Sequence, residues 1–258
     1  MRPMDYSLIS PGHRGTGDNH AEAFEPQIGS FPDPERGQDQ ATKINHTGTT
    51  TVGLTTAEGV VIATDMRASL DGAFVSSKTV QKVEQIHPTA ALTLVGSVGG
   101  AQSFIHNLRA EVDLYEAQRG REMSISALAT LAGNFARGGP FVAINPILGG
   151  VDPDQTTLDG SSAHGCTDDA HHVFTIDPAG GVMEDAYAAT GSGMQLAYGV
   201  LEREYREDLS NDEATTIAAR AVQSAVERDT GSGNGVFLAE VTGDGVDIHG
   251  HTDFSEVL

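Results

Sequence analysis

Three threonines, Thr49–Thr51, follow Gly48 where an aperiodic, Pro-rich stretch gives way to a β-branched segment. A threonine hydroxyl is a weak nucleophile at neutral pH and needs a base beside it. If the chain is cut before Thr49, the new α-amine, whose ordinary pKa is about 8, lies next to that hydroxyl. One residue then supplies nucleophile and base, although three threonines at a strand start are also simply good β-formers. Gly48, which has no Cβ, suits the strained turn that attack on its own carbonyl requires.

Two charged residues are candidates to activate that hydroxyl. Asp65 ends the second of two β-like segments joined by a short turn, and a hairpin returns its end close to its start, near Thr49. Lys82 is one of only three lysines among the 15 Lys and Arg residues of the chain, so solvated lysines are nearly absent here. A lysine ammonium beside Thr49 would lower the pKa of the hydroxyl, and Asp65 would pair with that ammonium. The simpler alternatives are a turn carboxylate and a solvated charge.

Three glycine-rich segments carry further candidate groups. The segment VGSVGG (95–100) is predicted to turn from a strand into a helix N-terminus, where backbone N–H groups suit an oxyanion. The segments GSG (191–193) and RDTGSG (228–233) contain small polar residues at expected helix ends, namely Ser192, Asp229 and Ser232. Helix capping is the simpler interpretation of each of these three residues taken singly.

The composition limits the classes of function. The chain has 258 residues and a formal net charge of −21, which should repel nucleic acid and anionic membranes. Such acidity favours adaptation to high salt, where screening makes self-repulsion tolerable. The chain has no apolar run long enough to span a membrane and no signal-peptide h-region, and its single cysteine, Cys166, excludes an internal disulfide. We therefore expect a soluble cytoplasmic protein.

Neither a metal site nor a cofactor site is predicted. His171 and His172 have no Glu or Cys partners at ligand spacing and are interpreted as plain surface residues, and the HGH of 249–251 is an equally weak signal. The chain also contains none of the glycine-rich phosphate-binding motifs.

The strands and helices that must position these residues are predicted to follow an N-terminal leader. Residues 1–48 show no sustained apolar period and are predicted to be a mostly disordered leader before a domain of 49–258. Residues 151–170 are predicted to be a mobile acidic surface loop. Strands are predicted at 49–57, 59–66, 74–86, 89–97, 140–150, 171–177, 181–188, 235–242 and 245–250.

Four amphipathic helices complete the prediction. Two of them show helical spacing from Ile105 to Tyr115 and from Ile125 to Phe135, and a third covers about 193–208 with Met194 on its apolar face. The fourth opens at Ser210 in a capping-box pattern with Glu213. Helix pairs between groups of strands predict an α/β (α+β) fold, in which two antiparallel sheets packed face to face are flanked by helices as a four-layer αββα sandwich.

These motifs resemble a known family. GTTTVG, GVVIATDMRAS, KTVQKV, LVGSVGGAQ, ATGSGMQLAYGVLE and VERDTGSGNG are similar, in the same order, to the β-subunit of archaeal proteasome core particles. The similarity covers essentially all of 49–258, and the acidic composition resembles a haloarchaeal member. The resemblance implies a threonine endopeptidase of the N-terminal-nucleophile hydrolase family that degrades unfolded proteins without a cofactor. It also implies that residues 1–48 are a propeptide, which the chain removes by autolysis between Gly48 and Thr49.

The resemblance also implies roles for individual residues. Thr49 is the nucleophile, Asp65 and Lys82 tune it, and the Gly96 N–H forms the oxyanion hole. Ser192, Asp229 and Ser232 position the α-amine and a water. Ser69 and Gly96 offer backbone contacts to an extended peptide, and an apolar pocket that favours cleavage after hydrophobic residues is lined by Ala68, Val80, Leu94 and Val98.

The implied partners are proteasome α-subunits, further β-subunits in seven-membered rings, and a regulatory AAA ATPase that acts through the α-ring. Three alternatives remain open at this point. The chain could be a structural ring subunit without activity, although such subunits lose Thr49, Asp65 or Lys82. It could be another N-terminal-nucleophile amidohydrolase, or an acidic binding protein that uses no chemistry.

Overall fold

A computed structural model describes residues 48–70, 73–138, 144–152 and 170–258. The predicted propeptide up to residue 47, Cys166 and all but the ends of the predicted loop at 151–170 lie outside these ranges. No helix within them is long and apolar enough to cross a membrane.

The described residues form twelve strands, four α-helices and one short 3-10 helix. The strands are β1 Thr50–Thr55, β2 Val60–Asp65, β3 Ala68–Leu70, β4 Phe74–Ser77, β5 Val83–His87, β6 Ala90–Thr93, β7 Ile147–Val151, β8 His171–Ile176, β9 Val182–Glu184, β10 Tyr187–Gly191, β11 Val236–Thr242 and β12 Gly245–His251. The helices are α1 Val98–Arg119, α2 Ile125–Gly138, α3 Met194–Glu204, α4 Asn211–Val226 and the 3-10 helix Phe254–Glu256.

Ten of the strands form two antiparallel sheets of five. One sheet has the order β10-β1-β2-β11-β12, and the other has the order β5-β6-β7-β8-β9. Strands β3 and β4 form a separate two-stranded ribbon. The predicted β1–β2 hairpin is present, with Thr51 opposite Thr64, so that the end of β2 lies beside the start of β1.

Three apolar clusters divide the molecule into four layers. One cluster lies between the second sheet and helices α1 and α2, and includes Leu92, Leu108 and Leu148. Another lies between the first sheet and helices α3 and α4. The third fills the space between the two sheets, where Ile62 and Ile147 are fully buried. The four-layer αββα sandwich predicted from the sequence is therefore confirmed.

The strand predicted at 181–188 is wrong as a single element. Residues of β9 pair with β8 in one sheet, whereas β10 pairs with β1 in the other sheet. The chain crosses between sheets at 185–186, where the N–H of Asp185 donates to Val173 O and Ala186 O accepts from the N–H of Thr55. The pattern of side chains along 181–188 does not indicate that the chain changes from one sheet to the other.

Other predicted boundaries also needed correction. In 74–86 the β structure breaks between Ser77 and Val83. In the strand predicted at 140–150, residues 140–143 lie outside the described ranges, 144–146 are not strand, and β7 begins at Ile147 after Pro146, which has no N–H for a ladder. Helix α3 ends at Glu204 rather than near residue 208, because Tyr205 is extended. Met194, predicted to face inward, is 39% exposed. The capping box of Ser210 and Glu213 at the start of α4 is present as predicted.

Candidate active site

Thr49 stands immediately before β1 and is only 1% exposed. Its Oγ1 accepts a hydrogen bond from Lys82 Nζ at 3.0 Å and donates one to Gly48 O at 2.7 Å. Lys82 reaches it from the irregular segment just before β5, and its ammonium also donates to Asp65 Oδ1 at 2.7 Å. The hydroxyl therefore lies between the carbonyl of the preceding residue and a buried ion pair.

Asp65 is fully buried at the end of β2 and makes four contacts. Besides Lys82, its Oδ1 accepts from the N–H of Thr50 at 3.0 Å, and its Oδ2 accepts from the N–H groups of Arg67 at 3.0 Å and Gly233 at 2.9 Å. Three backbone donors and one cation therefore satisfy the carboxylate in a site without water access. The hairpin connection explains its position, because the end of β2 is opposite the start of β1.

Burial dominates the proton equilibria of this pair. Loss of hydration raises the pKa of the Asp65 carboxyl, and the attraction of Lys82 and the amides of Thr50 and Gly233 oppose that rise. Loss of hydration likewise lowers the pKa of the Lys82 ammonium, and Asp65 opposes the fall. A lysine with a lowered pKa gives up a proton more readily, so Lys82 is suited to exchange a proton with Thr49 Oγ1.

A second network holds the opposite side of Thr49. The N–H of Thr49 donates to Ser192 Oγ at 3.1 Å, and Ser192 Oγ donates to Asp229 Oδ2 at 2.6 Å. Ser232 Oγ donates to the same carboxylate oxygen at 2.6 Å and lies 2.7 Å from Thr50 Oγ1. The structure therefore brings together the three residues whose capping interpretation was simpler. Ser192 does not cap α3, whose N-cap is Gly193 without a side-chain hydrogen bond.

Sequence reasoning missed two residues that support these networks. Arg67 donates from Nε to Asn234 Oδ1 at 3.0 Å and from a terminal nitrogen to Thr230 O at 3.1 Å, which ties the end of β2 to the loop after α4. Asn234 has a φ of +70°, a conformation that asparagine tolerates better than most residues. The only sequence signals were the closeness of Arg67 to Asp65 and the run GSGNG.

Ser69 contacts the residue that precedes Thr49. Its side chain is buried in β3, and Ser69 Oγ accepts a hydrogen bond from the N–H of Gly48 at 3.3 Å. The backbone contacts of Ser69 to an extended peptide stay a prediction, and the contact observed here is made by its side chain. Gly48 is therefore held at its N–H by Ser69 and at its carbonyl by Thr49.

A cavity of about 290 Å³ opens beside Thr49 and Lys82. All four residues predicted to form an apolar pocket line it, and Ala101 and Ile105 add to its apolar wall. The predicted lining residues are Ala68, Val80, Leu94 and Val98. Gly96, the predicted oxyanion donor, also lines this cavity and has a φ of +108°, which an L-residue with a side chain rarely adopts.

The same cavity has a polar section that was not predicted. Gln102, His106 and Arg109 line it from α1, and Arg109 lies about 16 Å along the helix from Val98 at a rise of 1.5 Å per residue. Arg109 donates to Glu84 Oε2 at 2.9 Å, so its charge is paired. Helical spacing from residue 98 could have revealed this face, but the apolar pattern alone did not.

The interpretation of His172 as a plain surface residue is wrong. Its side chain is 13% exposed and lies between two carboxylates, with Nε2 at 3.3 Å from Asp152 Oδ2 and Nδ1 at 2.6 Å from Glu184 Oε1. The hydrogen bond to Asp152, helped by Glu184, raises the pKa of His172 against the effect of burial. His171 bonds Thr56 O at 2.9 Å. Among the described residues, no group of three or more His, Cys, Asp or Glu side chains is arranged to hold a metal ion.

Comparisons with known proteins all point to one family. A model of the family described as "Proteasome subunit" matches residues 45–241. A proteasome subunit beta of Natrialba magadii is 68% identical over 91% of this chain and 90% of its own length. A proteasome subunit beta of Natronomonas pharaonis is 62% identical and a proteasome subunit beta 1 of Haloarcula marismortui is 60% identical, each over the full length of both chains.

Proposed function

The chain belongs to the proteasome family as a β-subunit of the haloarchaeal type, and we propose that it is a catalytic subunit whose nucleophile is Thr49. The observation that carries this proposal is the contact of Thr49 Oγ1 with both Lys82 and the carbonyl of Gly48. An inactive ring subunit would lack one of Thr49, Asp65 and Lys82, whereas here all three are present and in contact. This supports a threonine endopeptidase made as a precursor.

Self-cleavage begins at the hydroxyl of Thr49. Thr49 Oγ1 attacks the carbonyl carbon of Gly48. Lys82, in the neutral amine form that its lowered pKa makes accessible, accepts the hydroxyl proton and delivers it to the departing nitrogen of Thr49. The Gly48–Thr49 C–N bond breaks and an ester forms between Gly48 and Thr49 Oγ1. Water then hydrolyses the ester, which releases the carboxylate of Gly48 and frees both the hydroxyl and the α-amine of Thr49.

The mature site uses the same groups on another peptide. The free α-amine of Thr49 occupies the position where its N–H now donates to Ser192 Oγ, so Ser192 and Asp229 hold it in place. Thr49 Oγ1 attacks the substrate carbonyl, the Gly96 N–H stabilises the developing oxyanion, and the amine half of the substrate leaves with a proton. Water guided by the α-amine hydrolyses the acyl-enzyme ester and releases the second product.

The cavity determines which peptides are cleaved. Its walls beside Thr49 are apolar, as formed by Ala68, Val80 and Leu94, so the side chain before the cut is hydrophobic. Ser69 holds the chain one residue before the cut, as it holds Gly48 in the precursor.

As a proteasome β-subunit, the chain assembles into a core particle with α-subunits. We propose that it does so in seven-membered rings in the cytoplasm, fed with unfolded proteins by an ATPase on the α-ring. The net charge of −21 supports operation at high salt, because screening lowers the self-repulsion of such a surface.

The test is peptide hydrolysis by the assembled particle in three forms: unsubstituted, Thr49→Ala and Thr49→Ser. We expect cleavage after hydrophobic residues in the unsubstituted particle, none with Thr49→Ala and residual cleavage with Thr49→Ser, which keeps a hydroxyl. An electrophile that requires a hydroxyl and a free amine should add to Thr49 in the active forms alone. Equal hydrolysis by Thr49→Ala would exclude Thr49 as the nucleophile.

A further inference from the structure

The residue that precedes the scissile bond packs directly against the loop after α4. A Cβ placed on Gly48 would collide with the Cα of Gly231, and a Cβ placed on Gly231 would collide with the Cα of Gly48. In both directions the obstacle is backbone rather than the end of a flexible side chain. No rotamer change can therefore relieve the clash, and the two backbones can approach only because both residues lack Cβ.

The conformation of Gly231 itself does not require glycine. Its φ lies outside the left-handed region in which Gly191 and Gly235 are found. Its N–H donates to Asp229 Oδ1 at 3.2 Å, a bond that any residue except proline could make. Apart from Gly48, the nearest atom to a Cβ on Gly231 would be Ser192 Oγ at 3.0 Å, a contact that a shift of a few tenths of an ångström relieves.

We propose that Gly231 is a positioning residue for self-cleavage, because its bare Cα is the surface against which Gly48 is held for attack by Thr49. This inference rests on the proposed self-cleavage. Gly48 is held at its N–H by Ser69 and at its carbonyl by Thr49 Oγ1, so a side chain at position 231 must displace it from both contacts. Once the leader has left, Gly48 is gone and the requirement for glycine ends.

The size of the effect follows from the displacement. Relief of the Gly48–Gly231 clash requires a movement of about 1 Å, and a misplacement of that size at a reacting centre costs about a hundredfold in rate. The mature site should be little affected, since only Ser192 Oγ would face the new methyl group, and a shift of a few tenths of an ångström relieves that contact while Ser192 keeps its bonds to Thr49 and Asp229. Gly231→Ala should therefore separate self-cleavage from peptide hydrolysis, whereas a general structural defect would reduce both.

The experiment places Gly231→Ala in two chains, each assembled with α-subunits. One is the full precursor, and the other begins at Thr49 after removal of an initiator methionine. Gly199→Ala is the matched control, because a Cβ on Gly199 in α3 meets nothing within 4 Å. Leader loss is followed over time by intact mass, peptide hydrolysis by rate, and folding of the chains that begin at Thr49 by thermal unfolding.

We expect the Gly231→Ala precursor to lose its leader about a hundredfold more slowly than the unsubstituted and Gly199→Ala precursors. The chain that begins at Thr49 should hydrolyse peptides at nearly the unsubstituted rate with Gly231→Ala. Leader loss at the control rate would overturn the inference. The inference would also be overturned if the Gly231→Ala chain that begins at Thr49 failed to fold, or lost as much peptide hydrolysis as its precursor loses self-cleavage, because Gly231 would then serve the mature structure. An unsubstituted precursor that never loses its leader would instead refute the proposed self-cleavage itself.

Discussion

Replacement of Lys82 by methionine should separate the stability of the buried pair from its chemistry. Methionine has a similar length but no charge, so Lys82→Met leaves the Asp65 carboxyl, which is fully buried, without its cation at 2.7 Å. Breaking a buried ion pair from one side costs about 3–5 kcal/mol. We expect about 3 kcal/mol, at the low end, because three backbone N–H groups still donate to Asp65.

For a domain of this size, about 3 kcal/mol corresponds to a fall in Tm of about 6–12 °C. The double variant Asp65→Asn with Lys82→Met carries no charge at either position and should recover part of that loss, because the charge is gone but an amide NH2 then faces a backbone N–H that had donated to the carboxylate. Neither variant can move a proton at Thr49 Oγ1, so both should cleave themselves about 10²–10⁴-fold more slowly. Stability is measured by thermal unfolding of precursors at one salt concentration, with Thr49→Ala as the reference that keeps its leader and its Lys82–Asp65 pair.

The pH dependence gives a second readout of the same variant. Burial already raises the pKa of Asp65, and without the opposing attraction of Lys82 that pKa must rise further. A raised carboxyl pKa means stability that is present below the ordinary value of 3.8 and lost as pH rises through the folded-state pKa. The Tm deficit of Lys82→Met should therefore shrink on acidification. A Tm equal to that of Thr49→Ala at neutral pH, or self-cleavage by either variant at the unsubstituted rate, would contradict this prediction.

Three further outcomes are expected. His172→Gln should flatten the pH dependence of stability above about pH 6.5. The reason is that the pKa of His172 is raised between Asp152 and Glu184, so its protonated form contributes stability that is lost as pH rises through that pKa. An unchanged dependence of Tm on pH would contradict this. Ser192→Ala should slow peptide hydrolysis about 10–100-fold, because it removes a hydrogen bond, worth about 1.5–3 kcal/mol, to the nitrogen that becomes the α-amine of Thr49 after cleavage. An unchanged kcat/KM would show that this hydrogen bond does not contribute to hydrolysis. The Tm should rise as KCl is added, because screening weakens the self-repulsion of a net charge of −21, and a Tm independent of salt would exclude that explanation.

Local sequence patterns predicted the parts of the site that lie close together along the chain. The β1–β2 hairpin follows from two β-branched segments and a short turn, and it alone places Asp65 beside Thr49. The helix start at Val98 follows from the glycine-rich turn before it. These features depend on neighbours within about twenty residues, which is the range over which patterns of side chains carry information.

Contacts between distant segments could not be predicted in this way. Ser192 reaches Thr49 only because β10 pairs with β1, and Asp229 reaches Ser192 across 37 residues of chain. Judged by its local pattern, Ser192 is a helix cap, and the structure shows that tertiary contacts decide its role instead. The change of sheet at 185–186 and the carboxylates around His172 are likewise set by pairing between distant strands.

The most direct test of the central claim is the intact mass and N-terminal sequence of the chain after assembly with α-subunits, for the unsubstituted protein and for Thr49→Ala. We expect the unsubstituted chain to begin at Thr49 and Thr49→Ala to keep the 48 residues that precede position 49. If both chains still begin at Met1, the nucleophile is never freed, and a subunit without peptidase activity would be the correct conclusion. If both chains begin at residue 49, another protease makes the cut and Thr49 does not cleave its own chain.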